Sequence, residues 1–342
     1  MASRKWLLSS ATALSLLALV VSTLPSARAA DPAIKIAIAY DAGGRGDKAA
    51  NDAVAIGVDL AKKNLKLTTF NIREMVTDGT EKDRSRRLRF LANAGYTTII
   101  AVGSGYENSV RTVSKEFPTL TFEIIDNGNI SSLNVQSLIF DEQQGAYLAG
   151  VLAASASKSN KVGFLGDVTF PSSPAQGAAF SQGAKSIKPK IAVSIVIPLE
   201  KTPTAALTNF HVSGIDVVYS NWEKNSTLLD SVLALNTTKK PLKLIGVLPD
   251  QYWLQSATSK AVLIGAFTKH LESASYDAIW NAVKDYPIGD VLQTNPNIYG
   301  KKYSVVDAGV GMALVGEGMA YSTAIKAASS LLKAGKITIA SF

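Results

Sequence analysis

The sequence predicts an α/β protein built as two doubly wound lobes. Three observations lead there. Short apolar runs rich in valine and isoleucine alternate with segments whose apolar residues recur at helical spacing. The loops that leave these runs open with glycine and carry polar side chains, as βα loops do at the carboxyl edge of a parallel sheet. The rhythm also runs twice, in successive blocks of similar size joined near residues 140 to 160.

The chain of 342 residues begins with Arg4 and Lys5, an apolar core from Trp6 to Leu24, and a small-x-small site at Ala27-Arg28-Ala29. That pattern predicts a secretory signal peptide over residues 1–29. An uncleaved membrane anchor is the alternative, and Ala27 and Ala29 speak against it. No later apolar run approaches the roughly 20 residues that a spanning helix needs. The mature chain is therefore expected outside the cytoplasm, free in a periplasm or cell envelope.

Cysteine is absent, which excludes disulfides, cysteine-ligated metals and the lipid-bearing cysteine of a bacterial lipoprotein. Stability must come from buried cores, and a chain about twice the ~150-residue domain prior is long enough to supply them. The formal charge is +8, of which Arg4, Lys5 and Arg28 belong to the leader, leaving +5. Arg84, Arg86, Arg87 and Arg89 form the densest basic cluster. On a helix they spread around the circumference, so they read as a solvated face and predict no nucleic-acid partner.

In chain order, Ile34 to Tyr40 is a buried strand, followed by a glycine-rich loop and a helix to about Leu60. Leu67 to Ile72 reads as a second strand. Thr80 to Ala94 is a charged helix ended by Gly95. Thr97 to Val102, Leu120 to Ile125 and Asn134 to Phe140 are strands; a glycine-opened loop, Gly103 to Glu107, follows the first of them, and a helix after it runs to about Phe117, where Pro118 breaks it. An apolar helix covers Ala146 to Ala154. The second block has strands at Lys161 to Gly166, Ile191 to Ile197, Ile215 to Tyr219, Leu242 to Val247 and Ala261 to Phe267, with a helix around Gln176 to Ser186. Ala274 to Val283 is a further helix, Tyr303 to Val306 a late strand, and Val315 to Ala334 a closing helix.

Chemistry concentrates in the first βα loop, Asp41-Ala-Gly43-Gly44-Arg45-Gly46-Asp47-Lys-Ala-Ala-Asn51-Asp52. Such a loop faces the ligand crevice of an open sheet, and its glycines permit positive φ and close approach of a ligand. It holds Gly-x-Gly without the third glycine of a dinucleotide site and without the Gly-Lys-Ser/Thr of a P-loop. Asp41 is the leading ligand contact. Asp47 and Asn51 serve equally well as helix-entry residues, and Asn51 is kept as a candidate for its place on the loop. Tyr106 on the third βα loop and Asp126 on the fourth are further candidates, Asp126 with a capping role as its alternative. Trp222, beside Asn221, divides between ligand contact and packing.

These residues resemble the basic membrane protein family, substrate-binding components of ABC importers that include purine-nucleoside receptor lipoproteins. The resemblance rests on Tyr40-Asp41 through Asn51-Asp52, Glu123-Ile-Ile-Asp126, Phe140-Asp-Glu-Gln-Gln-Gly145-Ala-Tyr-Leu-Ala-Gly150, Val162-Gly-Phe-Leu-Gly166 and Gly246-Val-Leu-Pro-Asp250-Gln251, in order along nearly the whole mature chain. It implies the type I periplasmic-binding-protein fold, with a hinge and a ligand cleft between the lobes. The lobes are expected at residues 31–142 plus 270–300 and at 143–269 plus 301–342.

By the same resemblance Asp41 matches the acid that bonds the purine and Asp126 a second cleft acid. Phe180, in Gly177-Ala-Ala-Phe180-Ser-Gln-Gly183, matches an aromatic that stacks on the base. Lys269 matches a lysine that bonds ribose hydroxyls. Three departures bear on the ligand. Ala50 stands where the family carries a stacking Phe, and Leu248 where it carries an acid that grips the ribose. The glycine-rich turn expected after Tyr219 is replaced by Ser220-Asn-Trp222-Glu-Lys-Asn-Ser226.

Function therefore reads as a monomeric extracytoplasmic binding protein. Its partners are a nucleoside-like small molecule and an ABC permease, and no cofactor is implied. His211 and His270 are the only histidines and neither lies in a Gly-x-Ser-x-Gly or His-Glu-x-x-His setting, so triad and zinc chemistry lack parts. Nucleoside hydrolysis on paired Asp41 and Asp126 is the enzymatic alternative. A sensor and a sugar-binding protein of the same fold, with Tyr106, Phe180 and Trp222 as aromatic platforms, are the others.

Overall fold

The computed structural model describes residues 34–199, 203–222, 225–236, 241–247, 260–286, 289–294 and 297–339. Leu248, Asp250 and Gln251, like the leader, lie outside the described residues.

Strand β1 (Ile36–Tyr40) is buried at every position because it lies inside a sheet covered on both faces, which is why it reads as an unbroken apolar run. The first block continues with α1 (Ala50–Leu65), β2 (Ile72–Val76), α2 (Glu81–Asn93), β3 (Thr98–Val102), a single 3₁₀ turn (Ser104–Tyr106), α3 (Glu107–Glu116), β4 (Thr121–Ile125) and β5 (Val135–Phe140). The second adds α4 (Glu142–Ala156), β6 (Lys161–Leu165), α5 (Ser173–Ile187), β7 (Ala192–Val196), α6 (Thr204–Val212), β8 (Val217–Ser220), α7 (Asn225–Leu235), β9 (Lys243–Val247) and β10 (Leu263–Lys269). The chain closes with α8 (Leu271–Lys284), β11 (Asp290–Thr294), β12 (Asn297–Tyr303), β13 (Val310–Leu314), a 3₁₀ stretch (Gly316–Tyr321) and α9 (Ser322–Lys333).

The strands form two sheets. The first runs β11-β12-β5-β4-β3-β1-β2 and the second β13-β10-β9-β8-β6-β7, each parallel but for β11 and β13. The described chain passes between them after Phe140, after Lys269 and after Tyr303. Helix α8 lies against α1 under the first sheet, where the Ser275 hydroxyl donates to the Val54 carbonyl at 2.9 Å. Helix α4 lies under the second sheet. It is buried from Gly145 to Ala154, as a helix that is apolar all round must be. A side chain at Gly150 would put its Cβ 2.0 Å from the Phe180 carbonyl oxygen, and one at Gly183 the same distance from that of Tyr147. Those glycines let α4 and α5 cross in backbone contact.

Several sequence expectations are corrected. The second strand is Ile72–Val76, not Leu67 to Ile72. As an edge strand, paired among the described residues to β1 alone, it carries Arg73 and Glu74 on open sides, which hides its strand period. The late strand ends at Tyr303 rather than starting there, and Lys301–Tyr303 pair with β5 of the first sheet. The closing helix is α9, preceded by β13 and the 3₁₀ stretch.

Candidate functional site

The carboxyl ends of β1, β3 and β4 face those of β6, β8 and β10 across a cleft of about 1200 Å³. A space of that size takes a small molecule. Each wall is made by βα loops.

In the first loop Gly43, Gly44 and Gly46 all have positive φ, and the turn they make returns the chain to α1. Asp47 caps that helix: one carboxylate oxygen accepts from the amides of Ala49 and Asp52, the other from that of Asn51. The Asn51 side chain is a clasp within the loop. It accepts from the Asp41 amide and donates to the carbonyls of Asp41 and Ala42. Arg45 turns away from the cleft to pair with Asp59 at 2.7 Å and Glu74 at 2.6 Å.

Asp41 lines the cleft, and its carboxylate is already held. Arg84 of α2 forks onto it, Nε and Nη2 donating to Oδ1 at 3.0 and 2.7 Å and Nη2 reaching Oδ2 at 3.0 Å, while the Ala42 amide also donates to Oδ1. The pair lies so close under Gly105 that a Cβ there would meet Asp41 Oδ2 at 2.4 Å. Glu107 accepts from Arg111, Asn127 and Asn129, which together outweigh its burial and hold its carboxyl below the usual range.

Asp126 follows β4 in the left-handed conformation, φ 65°, unusual for a residue with a side chain. Its carboxylate reaches across the cleft to Lys269, the last residue of β10, at 2.9 Å. Lys269 Nζ also lies 2.6 Å from Glu142, the first residue of α4. The second oxygen of Glu142 accepts from the Ser172 hydroxyl at 2.6 Å and from Gln176 Nε2 at 2.8 Å. Burial alone would raise the Glu142 carboxyl, and the Lys269 ammonium with these two donors more than reverses it.

The second wall is aromatic. Trp222, at the end of β8, and Phe170, on the loop after β6, line it, and Phe140 joins them from the end of β5. The Trp222 indole Nε1–H is buried and has no hydrogen-bond partner among the described residues.

Of the predicted site residues the structure brings Asp41, Asn51, Asp126, Trp222 and Lys269 to the cleft. Tyr106 and Phe180 are corrections. Tyr106 is fully buried and its hydroxyl donates to the Tyr40 carbonyl at 3.1 Å, so its neighbours Gly105 and Glu107 face the cleft instead. Phe180 lies in the second core against Phe164 and Tyr219, ring centroids 6.1 and 5.9 Å away, because α5 turns that face to the sheet. Sequence reasoning missed Arg84, Glu142, Gln176 and Phe170. Phe170 could have been found from its place on a βα loop, whereas Arg84 and Glu142 come to the site only through folding.

Two α/β lobes joined by chain crossings around a cleft of small-molecule size define the class of two-lobed proteins that take a small molecule between their lobes. Residues 33–300 match the model of the PnrA-like ABC transporter substrate-binding proteins, Bmp, and the chain belongs to that family. Its members are transport components rather than enzymes, which work with a small-molecule ligand and an ABC permease. Among curated proteins it is 27% identical over 328 residues to the ABC transporter nucleoside-binding protein BmpA of Lactococcus lactis subsp. cremoris, spanning 90% of this chain and 89% of that one. Two solved structures share the fold. One is a transcriptional activator of the comK gene from Bacillus halodurans (TM-score 0.67, 18% identity, 88% of this chain and 98% of the other). The other is an ABC transporter solute-binding protein from Conexibacter woesei (TM-score 0.66, 16% identity, 90% and 98%). No helix among the described residues is long and apolar enough to cross a membrane.

Proposed function

We propose that this substrate-binding protein captures a purine nucleoside or related nucleobase compound outside the cytoplasm and delivers it to an ABC permease. The observation that carries this reading is the charge of the cleft. Among the described residues its lining holds the carboxylates of Asp41, Asp47, Glu107, Asp126, Glu142 and Asp167 against the single ammonium of Lys269. Carboxylates accept only, so this cleft favours a ligand rich in N–H and O–H donors and repels phosphate. A nucleoside offers such donors on its base and its ribose, and BmpA, a relative spanning most of the chain, is a nucleoside-binding protein by name.

In this reading Trp222 and Phe170 give the base its apolar faces, in place of the aromatic that Ala50 does not supply. Asp126 and Lys269 engage the ribose, and Asp41 offers its less occupied Oδ2 to the base. Ligand contacts made with both walls at once shift the population towards closed lobes. In this reading the leader exports the chain, and a protein without cysteine to carry lipid works free in the envelope.

A thermal-shift panel on the chain from Ala30 onward, stripped of bound ligand, tests the proposal. Purine and pyrimidine nucleosides, free bases, nucleotides and sugars are compared at saturation, where ~100 times Kd gives about 2.7 kcal/mol. Nucleosides should raise Tm and nucleotides should not. A shift with sugars alone, or with none of these compounds, would overturn the reading.

A further inference from the structure

We infer that Glu142 is a positioning residue of the cleft, holding the Lys269 ammonium on the second lobe so that it can fasten the first lobe through Asp126. The inference deepens the hinge-closure reading and rests on it for the use made of the closed state.

The argument starts from where the three charges sit. Asp126 ends β4 of the first sheet, and Lys269 ends β10 of the second, immediately before the chain crosses to α8. Their contact at 2.9 Å therefore ties one lobe to the other. Lysine is long and flexible, and fixing it costs side-chain entropy, so an isolated cross-cleft pair is worth little. Here it is not isolated. The Lys269 side chain is 10% exposed, and Glu142, at the start of α4, meets the same ammonium at 2.6 Å.

Glu142 is itself immobilised. It opens α4 directly behind Asp141, whose side chain accepts from the Gln144 amide, so its backbone is set by the helix start. Its other oxygen is gripped by Ser172 and Gln176 at the start of α5. Ser172 flanks the first residue of α5, so the carboxylate also sits at the positive end of a helix. A rigid anion fixed to α4 and to the start of α5 thus places a flexible cation at the cleft, where it meets Asp126. A ligand that bridges the walls must exchange with this pair, and the pair itself draws the lobes together.

The absence of cysteine allows a clean measurement. Spin labels at Lys82→Cys on α2 and Lys185→Cys on α5, both exposed, report the distance between lobes by pulsed electron resonance without ligand. Glu142→Gln and Lys269→Met should each add a longer-distance population, and the double variant should match Lys269→Met alone, because one acts through the other. Glu142→Asp should restore part of the short-distance population. High salt, which screens a partly exposed pair, should lengthen the distance in the parent and leave Lys269→Met unchanged. An unchanged distribution in Glu142→Gln, or additive effects in the double variant, would overturn the inference. Melting curves of each variant identify any that fail to fold, and Glu142→Asp then carries the test. This arm contains no nucleoside, so a negative ligand panel leaves it standing.

Discussion

The two lobes meet the ligand cleft with different chemistry. The first presents carboxylates, most of them already held from within that lobe: Asp41 by Arg84, Asp47 by backbone amides, Glu107 by Arg111 and two asparagines. The second presents aromatic faces, with the buried Trp222 donor unpaired among the described residues, and beneath them Phe164, Phe180 and Tyr219 form a ring cluster. The difference reaches into the cores. Under the first lobe's wall Glu123 sits buried on β4 with one oxygen unpartnered among the described residues, near Asp277 of α8, which accepts from Tyr303 and Lys301. A polar wall is prebuilt and sensitive to charge, whereas an aromatic wall is stabilised by burial and indifferent to pH.

The largest expected effect separates the cores. Burial, then the Asp277 carboxylate, push the Glu123 carboxyl from the ordinary 4.5 up to about 8. Between those values the folded protein keeps a proton that the unfolded chain has released, so stability falls as pH rises through that window and levels off above it, by up to about 1.4 kcal/mol per unit. Glu123→Gln should flatten this slope in urea denaturation run from pH 5 to 9. An unchanged slope would place the pH sensitivity elsewhere and break the contrast between the lobes.

Lys269→Met comes next. It leaves Asp126 and Glu142 facing one another without their cation, and the loss of a mostly buried partner should cost about 3 kcal/mol, read as a lower urea midpoint. Arg84→Ala strips the fork from Asp41, which is partly exposed, so a smaller cost of about 2 kcal/mol is expected. Arg84→Lys should recover less than half of it, since a lysine cannot reproduce the two-pronged contact. The smallest effect belongs to the aromatic wall. Trp222→Phe removes a donor that has no partner among the described residues, so stability should change by less than about 1 kcal/mol while nucleoside affinity falls, as isothermal titration would show. A large stability loss instead would assign Trp222 to packing.

Much of this architecture was legible before folding. Apolar runs such as Ile36–Tyr40 and Thr98–Val102 announce buried parallel strands, and Asp41 and Asp126 stand where a doubly wound sheet exposes its loops. Edge strands were harder: β2 and β11 carry charged and polar residues because one side is open, and their period dissolves into the loops around them. Phe180 shows the limit for side chains. Its helical spacing fits core and cleft equally, and only the crossing of α4 on α5 at Gly150 and Gly183 turns it inward.

By itself the sequence determined the α/β class, the two-lobed order, the family and the loops that form the site, because these follow from local periodicity and from glycine and polar residues at fixed chain positions. The tertiary structure alone decided which charges meet. Arg84 reaches Asp41 across 43 residues and Lys269 reaches Asp126 across 143, and an ion pair depends on distance in space, which no local pattern encodes.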